Sequence, residues 1–200
     1  MNAEFDLAGI GTGLPAPTFD SQRVFRAALH ALAHPGEITA IDVGVEAPPG
    51  LHPAAAALLL SLLDQDTRLW VAPALRDAVA PYLRFHTGCV PVSAIARADF
   101  ALAADPAELP PLADFAQGDA DYPDRSTTVV LQVRSLGVGR RYTLQGPGIN
   151  DAAEVAIDGL DDRFVAEWNA QQRTFPCGID VFVVAAWTLL GLPRTTRIGA

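Results

Sequence analysis

The chain has 200 residues, half of them hydrophobic and 18% charged, with a net charge of −9. That balance suits one globular domain with a substantial core and excludes a disordered chain. The negative charge argues against general nucleic-acid binding, which needs cations to meet phosphates.

All 14 basic residues are arginine. With no lysine amine, the chain alone cannot form the Schiff base of pyridoxal phosphate chemistry, nor carry a P-loop lysine. Cys89 and Cys177 are far apart and outside any Cys-x-x-Cys pair, which suits a reducing compartment without a disulfide framework. The first 14 residues carry Glu4 and Asp6 and no basic residue, unlike a signal or transit peptide. A cytoplasmic protein with no membrane partner is expected.

Residues 1–18, rich in Gly and Pro, are expected to form a flexible segment, and 19–200 a single α/β domain. Gly9-Ile10-Gly11-Thr12-Gly13 does not read as a dinucleotide loop, because no adequate strand precedes it. Phe19–Ala33 is the clearest helix, capped by Asp20 or Ser21, with Val24, Phe25, Ala28, Leu29 and Leu32 as its apolar stripe. His34-Pro35-Gly36 ends it, since proline steers the residue before it out of helical geometry. His30 and His34 share one helix face, but no third ligand is near, so helix-end packing is favoured over a metal.

Glu37–Val43 reads as a strand. Pro53 opens a helix over Ala54–Leu63 that is apolar all round, hence deeply buried. Thr67–Val71 is a strand, and Pro73 opens a helix through Leu83 that Pro81 should kink or shorten, followed by a turn at Arg84–Gly88. After a strand at Ala98–Ala103, Asp105–Asp124 is a solvated loop with acids at Asp114, Asp119, Asp121 and Asp124, lacking the alternation of a calcium loop.

Thr127–Val133 and Arg140–Leu144 are strands joined through Gly137-Val138-Gly139, the second leading into Gly146-Pro147-Gly148. Asp161–Gln172 is an amphipathic helix with Phe164, Val165 and Trp168 inward. Val181–Ala186 is too short to cross a bilayer and reads as a strand buried on both faces, with Leu189–Leu192 as hairpin partner or following strand. No repeat of 20–50 residues occurs. The sum is an α/β fold, a mixed sheet flanked by helices.

The chemistry concentrates at the C-terminus. Arg194, Thr195, Thr196 and Arg197 follow the buried strands and are candidates to hold the phosphates of a nucleotide or a phosphonate, arginine being suited to bidentate contacts. Gly146 and Gly148 could turn backbone N–H groups toward the same anion, or form a plain turn. Asp180 is costly to leave unpaired beside an apolar strand, so it either makes an internal ion pair with Arg194 or Arg197, or orients one toward a phosphate. Cys89 and His86 are spaced like a thiolate pair without further support. No serine sits in Gly-x-Ser-x-Gly. No complete catalytic set is visible, and no metal or cofactor is expected.

A set of segments carries a resemblance. Phe25-Arg26…Ala33-His34-Pro35-Gly36-Glu37-Ile38, Ala57–Asp64 with Thr67, and Leu83-Arg84-Phe85-His86-Thr87-Gly88 come first. Tyr122-Pro123-Asp124-Arg125-Ser126, Leu144-Gln145-Gly146-Pro147-Gly148-Ile149, Phe175-Pro176-Cys177-Gly178-Ile179-Asp180 and Leu192-Pro193-Arg194-Thr195-Thr196 continue it in order. Together, over about residues 19–198, they resemble the H-subunit family of the bacterial carbon–phosphorus lyase core complex. The resemblance implies a fold like pyridoxal-phosphate-dependent transferases without the cofactor lysine. It implies assembly with G, I and J subunits, and a homodimer in isolation. With the I, G and L proteins, such a subunit takes part in joining an alkylphosphonate to the ribose of ATP, displacing adenine, to give ribose 1-alkylphosphonate 5-triphosphate. Nucleosidase chemistry is attributed to the I subunit and no residue role is carried over, so an accessory role is expected here. Departures are confined to the N-terminal tail and Cys177.

Overall fold

The computed structural model describes residues 11–199. Helix α1 (Pro17–Ala33) is followed by β1 (Thr39–Ala40), α2 (Pro53–Leu62), β2 (Arg68–Val71), α3 (Pro73–Thr87), β3 (Val90–Pro91) and β4 (Phe100–Ala103). Then come β5 (Thr128–Gln132), β6 (Ser135–Gln145), β7 (Ala153–Asp158), α4 (Asp162–Ala170), β8 (Asp180–Ala185), β9 (Thr188–Leu192) and β10 (Arg197–Gly199). A seven-stranded sheet has the order β1-β9-β8-β5-β4-β2-β3, and a three-stranded sheet the order β10-β6-β7. The run from β3 to β8 is parallel, and β9 and β1 add antiparallel strands at one side. This is the mixed α/β sheet expected.

The strands are apolar on both faces because both faces are covered. Along β8, Phe182 and Val184 pack with α1, α2 and α3, whereas Val181 and Val183 pack against the other layer. That second layer holds Tyr142 and Leu144 of β6, Val155 and Ile157 of β7, and Phe164 and Trp168 of α4. Strand period two thus feeds two cores from one continuous apolar run.

Several expectations are corrected. Helix α1 buries Val24, Ala28 and Ala31, while Phe25 and Leu29 are 48% and 53% exposed. The cause lies in β9: a Cβ on Gly191 would come within 2.4 Å of the Ala31 carbonyl oxygen, so helix and strand backbones touch there. That contact turns the small side chains inward. Asp20 caps from inside the helix: its carboxylate accepts the Ala16 N–H at 2.8 Å and pairs with Arg23. Only Thr39–Ala40 of the predicted strand over 37–43 pairs, because it meets just the first residues of β9.

Helix α3 runs through Pro81 to Thr87, ending in left-handed Gly88, so Arg84–Thr87 is helix and not turn. Proline removes one N–H, and the burial of Val79, Tyr82 and Leu83 around it outweighs that loss. Gly137-Val138-Gly139 does not join two strands. It is a bulge inside β6, where Leu136 and Arg140 both face Ile157. Strand β7 lies in a stretch with no strand expectation. Helix α4 ends at Ala170 and passes into a 3-10 turn over Gln171–Thr174, with Val165 only half-buried.

Gly191→Ala is expected to overpack the α1–β9 contact and cost about 1–3 kcal/mol, read by chemical denaturation. The Asp20 carboxyl is held below its ordinary value of 3.8, first by the Arg23 hydrogen bond and then by the Ala16 amide. A depressed folded pKa stabilises fully above the unfolded value and loses this as pH falls through the folded one. Asp20→Asn should therefore flatten the acid limb of the stability–pH curve below about pH 4. An unchanged limb in acid titrations followed by circular dichroism would contradict that role.

Candidate functional site

Strands β8 and β9 form an antiparallel hairpin, with Val181 opposite Leu192. One residue beyond that pair, Asp180 comes back alongside Pro193-Arg194. The Arg194 backbone N–H donates to Asp180 Oδ1 at 2.7 Å, Nε donates to the same oxygen at 3.2 Å, and Nη2 donates to Oδ2 at 2.6 Å. Nη2 also donates to Ser126 Oγ at 2.6 Å, and Nη1 donates to the carbonyls of Pro123 at 2.8 Å and Pro176 at 3.2 Å. A guanidinium has five N–H donors, and all are engaged. The pair is largely withdrawn from solvent, with side chains 13% and 24% exposed. It ties the 123–126 loop, the 176–180 segment and the end of the hairpin into one unit.

Past Arg194 the chain makes a turn closed by Thr196 N–H to the Pro193 carbonyl at 2.8 Å. Thr196 is buried, and its carbonyl accepts Trp168 Nε1 at 2.8 Å and Gln172 Nε2 at 3.1 Å. Its hydroxyl is enclosed without a partner among the described residues. Asn169 then holds β10: its Oδ1 accepts the Ile198 N–H at 3.0 Å, and its Nδ2 donates to the Ile198 carbonyl at 2.7 Å.

Thr195 and Arg197 face a cleft of about 400 Å³. Its other walls come from Gln145, Gly146 and Pro147 at the end of β6, and from Gln172 and Phe175 after α4. Gly146 is required there: its φ is +148°, and a Cβ would lie 2.8 Å from the Thr195 carbonyl oxygen. Arg197 is exposed and forms no ion pair or side-chain hydrogen bond with the described residues. Gly148 lies elsewhere, packed so closely on the end of α1 that a Cβ would stand 2.3 Å from the Ala33 carbonyl oxygen.

The predicted residues therefore separate. Asp180 and Arg194 form an internal brace, Thr196 is enclosed, Gly148 packs on α1, and Gly146, Thr195 and Arg197 meet at the cleft. Sequence reasoning passed over Gln145, Pro147, Gln172 and Phe175. Gln145 and Pro147 flank Gly146 and were within reach; Gln172 and Phe175 arrive only through the docking of α4 on β10.

The carboxyl edge of the parallel strands, where open α/β sheets commonly take ligands, is tied up internally. Gln132 at the end of β5 accepts the His52 N–H at 2.6 Å and donates to Gly50 at 2.9 Å. The Ala186 carbonyl accepts the Ala54 N–H at 2.9 Å, and the Ala186 N–H donates to His52 Nδ1 at 3.2 Å.

The lesser candidates also resolve into contacts. His30 and His34 stack at 4.2 Å, with His30 bonded to Glu37 and His34 to the His30 carbonyl. Among the described residues, no group of three or more His, Cys, Asp or Glu is placed to hold a metal. Cys89 is buried, which pushes its thiol pKa up, away from thiolate chemistry, and His86 Nε2 donates to the Gly11 carbonyl at 3.0 Å. Gly9 and Ile10 lie outside the described residues, and the Thr12 N–H donates to Glu46 at 2.9 Å. Asp119 caps its own loop by accepting the N–H groups of Asp121 and Tyr122. Among the described residues, no helix is long and apolar enough to cross a membrane.

The architecture is that of a mixed α/β protein whose C-terminal hairpin carries an arginine brace beside a surface cleft. The chain belongs to the bacterial phosphonate metabolism protein (PhnH) family, whose model it matches over residues 12–199. It is 38% identical over 183 residues to the alpha-D-ribose 1-methylphosphonate 5-triphosphate synthase subunit PhnH of Rhizobium meliloti (strain 1021), covering 91% of this chain and 92% of that one. It is 31% identical over 180 residues to a putative C-P lyase subunit protein, HtxG, of Stutzerimonas stutzeri, covering 88% and 85%.

Asp180→Ala leaves a mostly withdrawn arginine without its counter-ion and should destabilise the chain by about 2–4 kcal/mol, between the costs of exposed and buried pairs. A double-mutant cycle with Arg194→Ala, measured by denaturant unfolding, should show strong coupling. Additive losses would mean the pair is not the brace described.

Proposed function

We propose that this chain is an accessory subunit of the carbon–phosphorus lyase core complex in phosphonate catabolism. In this reading it supports formation of ribose 1-alkylphosphonate 5-triphosphate from ATP and an alkylphosphonate. The relatives named as subunits of such machinery support it, since each is matched over most of its length. The observation that carries the accessory role is the state of Arg194. The most concentrated polar group of the C-terminal region is spent inside the fold, and a saturated guanidinium has no donor left for a reacting group. The proposal extends to partners corresponding to the G, I and J subunits, to a homodimer in isolation and to a cytoplasmic setting. It also takes the helix-flanked mixed sheet as a pyridoxal-phosphate-transferase type of scaffold, in a chain that has no lysine to hold that cofactor.

A second reading is favoured by the cleft: the chain contributes phosphate contacts directly. Arg197 and Thr195 would make them, with Gly146 letting the two loops meet and the Asp180–Arg194 pair bracing the turn that precedes Thr195.

A tagged chain recovered from phosphate-starved cells is expected to bring the other subunits with it; recovery alone under those conditions would refute the subunit role. Arg197→Ala assembled into the complex separates the readings. Unchanged product formation leaves the accessory role, and a loss of about tenfold or more assigns phosphate contact to this subunit.

A further inference from the structure

We propose that the cleft between the end of β6 and the turn after α4 binds a nucleoside phosphate, its base stacked on Phe175 and its phosphates on Arg197 and Thr195. This rests on the phosphate-contact reading above and adds a ligand class to it.

The cleft is lined by two chemically different kinds of group. Arg197 is a cation with no counter-ion among the described residues, in a chain of net charge −9. Thr195 and Gln145 line the same cleft, and their side chains make no hydrogen bond within the described residues. Three such residues lining one hollow bring a fork of N–H donors, a hydroxyl and an amide, which is what a phosphate and a sugar hydroxyl require. Phe175 is 65% exposed and lines the same hollow with Pro147. A planar ring held open in a cleft is a stacking platform for a base, usable without hydrogen-bond readout. A volume of about 400 Å³ lies within the range of small-molecule sites.

The walls are preorganised. Gln172 is fixed through its amide N–H on the Thr196 carbonyl, leaving its own carbonyl as an acceptor. Phe175 precedes Pro176, whose carbonyl accepts from Arg194 at 3.2 Å, so the brace that withdraws Arg194 from ligands also anchors the backbone beside the ring. Gly146 lets the loop after β6 close against Thr195. A chance surface hollow needs none of these fixings, and a bare phosphate site has no use for the aromatic wall.

The test is calorimetric titration of the purified protein, alone and assembled, with ATP, inorganic triphosphate and adenosine. Saturable ATP binding is expected. Arg197→Ala should weaken ATP and triphosphate by about tenfold or more. Phe175→Ala should weaken ATP and adenosine by about tenfold and leave triphosphate unchanged. Arg26→Ala, on α1 and away from the cleft, should change nothing. Absence of saturable ATP binding in both states overturns the proposal, as does binding insensitive to both cleft substitutions. If only Arg197→Ala matters, the phosphate contact stands and the nucleoside assignment falls. Co-purification of each variant is scored separately, so loss of binding with assembly intact counts against the cleft and not against the subunit role.

Discussion

The carboxylate–guanidinium contact between Asp180 and Arg194 organises the C-terminal third of the molecule. A salt bridge at a sheet edge usually adds little, because water competes for both ions. Here the guanidinium also satisfies two backbone carbonyls and a serine hydroxyl, from loops far apart in the chain. Without it, the Pro123 and Pro176 carbonyls would lose a charged donor, and the segment leading into β8 would lose its registration to the turn after β9. The pair works chiefly as a geometric clamp on the turn that leads into Thr195 and Arg197.

The same economy runs through the rest of the fold. One central sheet serves two cores, so the central strands β5 and β8 are apolar between their ends, and polar chemistry is pushed to strand ends and to the small sheet. Ion pairs join some of those strand ends and loops, as Arg68 with Asp99 and Arg134 with Asp158 do. Arg197 differs from the paired arginines in lining a cleft whose other wall residues are neutral.

Much of the fold was legible. The runs around Val129 and Val181 are too apolar for anything except doubly covered strands, and Ala54–Leu59 is too uniformly apolar for an exposed helix. Where reading failed, a tertiary contact had overruled a local rule. Phe25 and Leu29 belong to a plausible stripe, but the backbone contact of Ala31 on Gly191 turns α1 away from them. Pro81 and the Gly137–Gly139 pair look like breaks, yet neighbouring packing carries a helix through one and a bulged strand through the other. For the candidate site, the pairing of Asp180 with an arginine could be foreseen from the cost of an unpaired carboxylate. Its saturation could not, because Ser126, Pro123 and Pro176 give no signal that they converge. Gln172 and Phe175 stayed invisible for a related reason: their place depends on how α4 docks.

Asn169 has a bearing on how this molecule meets others. By offering one amide oxygen and one amide nitrogen to Ile198, it imitates the adjoining strand that β10 lacks, so that flank of the three-stranded sheet is plugged. The opposite flank is β7, which pairs only with β6 among the described residues. Growth of the small sheet by an incoming polypeptide is thereby made one-sided: a visiting strand is turned away beside the cleft and has main-chain hydrogen bonds to form only along Ala153–Asp158.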